Sequence, residues 1–206
     1  MTVDGRVRRG ERTRDSIVHA LLDLLNEGVV EPTSQQIASA AGVSVRSIFQ
    51  HFDDLEALYG DLARAQDERT RPWFEQLDDE GDVSARVAAL ARHRRELFEH
   101  ISPVRHAIGS RARTSDALAA RLADVDAQLR AQIERQFAPE LAARRGAART
   151  RLLDVIDLLW SFDSWDRLRT AQHLGAEVAA RTLAGATADL LGATAAATAD
   201  TERDQS

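Results

Sequence analysis

Apolar residues recur at helical spacing along most of the chain. Ile17, Ala20, Leu21, Leu24 and Leu25 fall at i, i+3, i+4, i+7 and i+8, which predicts an amphipathic helix with one buried face. The segment Glu27-Gly28-Val29-Val30-Glu31-Pro32 ends it, with Pro32 opposing its continuation. Thr33 followed three residues later by Gln36 is a capping box, so a second helix starts there, with Ile37, Ala38 and Ala41 on one side. Gly42 supplies the left-handed exit. Ser44 then caps a third helix on which Val45, Ile48, Phe49 and Phe52 recur at spacings of three and four. Asp53 and Glu56 repeat the capping pattern and predict a fourth helix from about Asp53 to Arg69.

The organisation changes past Arg71-Pro72. Trp73, Phe74 and Leu77 precede an acidic turn, and a helix from about Ser84 to His100 carries Val87, Leu90, Ala91, Leu97 and Phe98. Ser102-Pro103 predicts a separate short element to about Gly109. A longer helix follows from about Asp116 to Phe137, its stripe formed by Leu118, Leu122, Val125, Leu129, Ile133 and Phe137. Pro139 and an arginine-rich stretch separate it from a final pair, Thr150 to about Arg167 and Ala171 to Leu191. The expected fold is all-α, about nine helices in two parts, with a polar alanine-threonine tail over residues 193–206 too poor in large apolar groups to pack.

Charge sharpens the picture at the amino terminus. Residues 1–14 hold five arginines against Asp4 and Glu11, a net charge of +3, whereas the whole chain stands at -6. A flexible basic arm over residues 1–10 beside a reading head suits phosphate or a minor groove, and an acidic body limits indiscriminate attachment to DNA. All 27 cationic side chains are arginine, able to make bidentate contacts to guanine or phosphate. The third helix presents Arg46, Ser47 and Gln50 opposite its apolar side, side chains that can meet base edges or phosphate oxygens in a major groove.

Other chemistries find little support. The chain has no cysteine and no apolar run of membrane-spanning length, and its basic start lacks the apolar stretch of a secretory signal. His93, His100 and His106 lie at spacings of seven and six that match no metal motif, and neither a glycine-rich phosphate cradle nor a serine elbow occurs. No enzyme activity, cofactor or metal is expected.

The turn at Thr33, the Ala-Gly-Val-Ser box at Ala41 to Ser44, Ile48-Phe49, His51-Phe52, and Glu56 with Leu58 together resemble the TetR family of bacterial transcriptional regulators over residues 11–60. The resemblance implies a cytoplasmic homodimer whose amino-terminal domains (residues 11–56) grip palindromic double-stranded operator DNA. Residues 57–192 would then bind a small-molecule effector and dimerise, the usual role being a repressor released by ligand. It assigns DNA contacts to Arg12, Thr33, Ser44, Val45, Arg46, Ser47, Phe49, Gln50 and His51. Phe49 stands where the family commonly has a tyrosine and Leu55 where it often has a lysine, which puts two phosphate contacts in doubt. An activator, or a family member acting through protein contacts without specific DNA binding, stays open.

By the same resemblance the last helix pair forms the dimer interface through Leu152, Ile156, Leu159, Asp163, Leu174, Val178, Leu183, Ala186 and Leu190. Candidates for a largely apolar effector pocket are Trp73, Phe74, Phe98, His100, Val104, His106, Leu122, Val125, Trp160 and Phe162.

Overall fold

A computed structural model describes residues 3–74, 77 and 80–192, with side chains from residue 8 onward. The expected tail over residues 193–206 lies outside the described residues. Among those described the chain is all-helical. Its ten α-helices are α1 (Val3–Asn26), α2 (Ser34–Ala41), α3 (Val45–His51), α4 (Leu55–Thr70), α5 (Val83–Ala112), α6 (Asp116–Gln136), α7 (Ala138–Ala142), α8 (Ala147–Leu159), α9 (Phe162–Asp166) and α10 (Ala176–Leu191). A 3-10 turn at Arg71–Phe74 follows α4, and one π-helical turn at Arg167–Ala171 follows α9.

The chain divides into two compact units. Among the described residues the first runs to residue 71 and includes 101–124, and the second includes 72–74, 77, 80–100 and 125–192, so α5 and α6 each contribute to both.

In the first unit α1 packs against α2, α3 and α4. Ile17, Leu21 and Leu25 of α1 share a core with Ile37 and Ala38 of α2 and with Ile48 and Phe52 at α3. Leu58, Tyr59, Leu62 and Ala63 of α4 join the same core, as do Val104, Ala107 and Ile108 of α5. This unit is therefore larger than the 11–56 segment assigned to DNA binding from sequence. The buried face of α4 has no core of its own.

The second unit buries Leu90, Leu97 and Phe98 of α5, Leu129 and Ile133 of α6, Leu153 and Ile156 of α8, and Trp160, Phe162 and Trp165. Arg86 is built into it as a buried ion pair. Its guanidinium holds both carboxylate oxygens of Glu140, donates to the Gln136 carbonyl at 2.7 Å, and lies 6.0 Å from the Phe137 ring centroid.

Four local expectations are corrected. Residues 3–10, expected as a flexible arm, continue α1 as helix, with no proline to interrupt it. The elements expected on either side of Pro103 are one helix, α5. Proline removes one backbone hydrogen bond, but Ile101 before it and Val104, Ala107 and Ile108 after it are all buried, and their packing holds the helical path. The cap of α4 is Asp54, whose Oδ1 accepts from the Ala57 N–H at 2.7 Å, rather than Asp53; Glu56 instead receives the Ser115 hydroxyl. The helix expected over residues 150–167 breaks after Leu159. There the Trp160 indole N–H donates to Thr187 Oγ1 at 2.8 Å, and Ser161 caps α9 through the Ser164 N–H at 3.2 Å.

Candidate nucleic-acid interface

Helices α2 and α3 are eight and seven residues long, too short to hold together alone, and their geometry comes from caps and packing. Thr33 Oγ1 accepts from the Gln36 N–H at 3.3 Å while the Thr33 N–H donates to Gln36 Oε1 at 2.9 Å, the reciprocal box read from sequence. Gly42 sits at φ 67° and ψ 30°, and Val43 N–H returns to the Ala38 carbonyl at 2.9 Å. Side chains other than glycine rarely adopt that backbone, which is why the turn carries glycine. Ser44 Oγ accepts from the Ser47 N–H at 3.1 Å and starts α3.

With α3 so set, Ile48 and Phe52 face the core at 0% and 2% exposure, and the opposite face is left to solvent. Arg46, Phe49 and Gln50 are exposed, Val45, Ser47 and His51 partly so, and Arg12 is exposed on α1. The face that carries Arg46 and Gln50 therefore has the size and chemistry of a groove-reading helix. Thr33 and Ser44 are exposed as well, with their oxygens already engaged in capping. Phe49 presents an aromatic ring at 49% exposure.

Arg14, counted with the basic arm from sequence, is part of the fold. Its Nη1 donates to the His51 carbonyl at the end of α3, its Nε meets Asp61 Oδ2 of α4 at 2.5 Å, and its guanidinium lies 4.2 Å from the Phe52 ring centroid. Asp61 is also held by Arg64. One side chain thus ties α1, α3 and α4 together. Nothing in the arginine-rich run Arg6 to Arg14 distinguishes this residue except its place three residues before Ile17, one turn ahead on the buried stripe. Arg14→Ala is expected to lower stability by about 1–2 kcal/mol, since a charge-assisted bond to a carbonyl is lost along with a partly exposed ion pair. A urea midpoint within about 0.5 kcal/mol of wild type would remove this role.

The effector candidates are distributed over both units. Val104 is buried in the first core with Leu122 packed against it, and His106 lines a cleft of about 290 Å³ with Leu25, Val29, Val30 and Pro103. In the second unit the Trp73 ring stacks on exposed His100 at 5.1 Å, and buried Phe98 meets Phe162 edge-on at 5.8 Å. Trp160 is fully buried, and Phe74 and Val125 are half-buried.

Of the residues assigned to a dimer interface, Leu152, Ile156 and Leu183 are buried within the protomer, and Leu159, Leu174 and Ala186 are half-buried. Asp163, Val178 and Leu190 are exposed, and Leu158, absent from the sequence assignment, is the most exposed large apolar group on α8 at 65%.

Two titratable groups in the second unit are strongly perturbed. Arg94 is wholly buried, and desolvation depresses its guanidinium to about 9. Burial, reinforced by the Arg94 charge, pushes His93 down to about 4 despite its hydrogen bond to the Trp73 carbonyl. A histidine depressed below its unfolded value of 6.5 binds its proton more readily in the unfolded chain, so its contribution to stability is complete above that value and is lost as pH falls toward 4. Stability is expected to decline over that window, and less steeply in His93→Asn; equal slopes in denaturant titrations of the two proteins would remove His93 as the cause. Arg94 went unread in the sequence because it sits among Arg92, His93 and Arg95, although its spacing from Leu90, Leu97 and Phe98 places it on their stripe.

Among the described residues no group of histidines and carboxylates is placed to hold a metal, and no helix is long and apolar enough to cross a membrane.

No protein-family model and no curated protein sequence matches the chain. Its likeness to known proteins lies in solved structures. A TetR-family transcriptional regulator from Streptomyces coelicolor superposes with a TM-score of 0.65 at 19% identity, over 89% of this chain and 84% of that one. A TetR transcription regulator from Haloarcula marismortui gives 0.62 at 18% identity, over 89% and 98%. A transcriptional regulator from Rhodococcus sp. Rha1 gives 0.67 at 17% identity, over 87% and 96%. At these identities the likeness establishes the fold.

Proposed function

We propose that this chain, which has the fold of TetR-family regulators, is a sequence-specific, double-stranded DNA-binding transcriptional regulator. It acts as a cytoplasmic homodimer that represses from a palindromic operator and is released by a small, largely apolar effector. The observation that carries the reading is the division of α3: Ile48 and Phe52 are locked in the core while Arg46 and Gln50 stand free of it on the exposed face. Arg46 is the base-reading candidate, and Arg12, Val45, Ser47, Phe49, Gln50 and His51 surround it; Thr33 and Ser44 approach the backbone from the helix starts.

Exposed Leu158 on α8, with Val178 and Leu190 on α10, supports the last helices as the surface that meets a second copy. Two copies are what half-sites one turn of DNA apart require. A second reading, a regulator acting through protein contacts, is favoured by one observation, the exposed ring of Phe49 in the middle of the reading face.

Selection of bound duplexes from a random library by the purified protein tests the proposal. A two-fold symmetric motif supports it, and absence of enrichment by folded protein overturns it. The first turns of α1 add a salt-dependent component. Deleting residues 1–8 removes Arg6 and Arg8 and is expected to reduce the slope of log affinity against log salt by up to about 2 per protomer, with nearly uniform weakening across sequences. An unchanged slope would return these arginines to a role in solubility.

A further inference from the structure

Among the described residues of the second unit two arginines, Arg86 and Arg94, are buried, and only Arg86 is paired with a carboxylate. Arg86 holds Glu140 through two nitrogens. Arg94, wholly buried, donates to Gln132 Oε1 at 2.8 Å, to the Leu129 carbonyl at 2.9 Å and to His93 Nδ1 at 3.0 Å, all of them neutral acceptors. Its Nε–H has no partner. The carboxylate that acts on it electrostatically, Asp157, is itself held by Arg130 at 2.8 Å. Even with its pKa depressed, the guanidinium is charged at neutral pH. The protein thus encloses a full positive charge with an idle donor, a costly arrangement unless an anion completes it.

We propose that Arg94 anchors the acid group of the effector, a small apolar monocarboxylic acid. This inference rests on the reading of the second unit as effector-binding and supplies the effector's chemical class. A carboxylate matches the guanidinium fork and brings the single negative charge that neutralises it, whereas a dianionic phosphate would leave an excess buried charge. Leu90, Leu97 and Phe98 stand at helical spacing from Arg94 on α5, and Leu129, whose carbonyl Arg94 engages, lies on α6; all four are buried apolar side chains of the kind that suits a hydrocarbon or aromatic body.

The same contacts give the acid something to move. Gln132 Nε2 and His93 Nε2 both donate to the Trp73 carbonyl, at 2.7 and 2.6 Å. His93 is therefore the Nε2–H tautomer, with its Nδ1 lone pair turned to Arg94. The two side chains that engage Arg94 are the two that pin the turn Arg71–Phe74, which begins where α4 ends. A carboxylate that takes over Arg94 Nη1 competes with Gln132 Oε1 and His93 Nδ1 for it, and so acts on the two side chains that also hold the Trp73 carbonyl.

The test is thermal unfolding of the full-length protein with straight-chain carboxylates of six to twelve carbons, benzoate and phenylacetate, each paired with its neutral primary amide. At least one acid is expected to raise the midpoint by roughly 3–8 °C near saturation while its amide does not. Arg94→Met, and Arg94→Lys as the variant that keeps the charge, are expected to bind that acid at least tenfold more weakly, and Arg86→Met to bind it as wild type does. No acid-specific shift in wild type, or a shift that survives both Arg94 variants, overturns the proposal. Duplex selection with the same preparation separates the two readings. Operator binding without acid binding removes the acid site alone, whereas acid binding through Arg94 without DNA enrichment removes the regulator reading and leaves the site.

Discussion

Ile48→Ala is expected to destabilise the protein by about 2–5 kcal/mol, the range for deleting a fully buried branched side chain and leaving a partly collapsed cavity. Ile48 has no exposed surface, and it shares its core with Ile37, Ala38 and Leu21 from two other helices and with Phe52. A seven-residue helix contributes almost no stability of its own, so α3 keeps its position only while this side chain is held. Specific DNA binding should fall with it, since the face carrying Arg46 loses its fixed orientation. The shift of the urea midpoint at unchanged slope is the measurement. A loss below about 1 kcal/mol would mean that α3 is anchored elsewhere, with Arg14 the next candidate.

Arg46→Ala, two residues away on the same helix, should do the opposite. Arg46 is exposed and has no structural partner to lose, so stability should stay within about 0.5 kcal/mol of wild type. If its guanidinium reads a base, affinity for the selected operator should fall by about 1–3 kcal/mol at each half-site, while affinity for a scrambled duplex falls little. Fluorescence anisotropy with the two duplexes gives the ratio directly. A ratio unchanged from wild type would remove Arg46 from base reading. The pair of substitutions separates a residue that holds the reading helix from one that reads, which neither does alone.

How much of this was legible in the chain follows from which forces act locally. The capping box at Thr33, the left-handed Gly42 and the cap at Ser44 are properties of three or four neighbouring residues, and each stands in the structure as the sequence implies. The stripe of α6 from Leu118 to Phe137 is long enough to set its own boundaries. At Pro103 a local penalty is outweighed by burial of apolar residues on both sides of it, Ile101 before and Val104, Ala107 and Ile108 after, and that balance is tertiary. At the break after Leu159 the Trp160 indole donates to Thr187 on another helix, a partner that no local pattern identifies. Arg14 and Arg94 were hidden for a shared reason. Each lies in a run of arginines, where composition suggests solvent, and only its register against Ile17, or against Leu90 and Phe98, marks it as internal.

Helical periodicity identifies which residues are apolar together but not which neighbour covers them. Leu152, Ile156 and Leu183 fill the chain's own core, and the large apolar groups exposed on these helices are Leu158, Val178 and Leu190. The exposed set became visible only once each helix had its neighbours.

The central claim, that the exposed face of α3 reads base edges in two symmetric half-sites, is tested most directly by running duplex selection on wild type and Arg46→Ala side by side. Wild type is expected to select a palindromic motif, and the variant the same motif with base preference lost at one pair of symmetry-related positions. Identical motifs from the two proteins, or no two-fold symmetry in either, would contradict it.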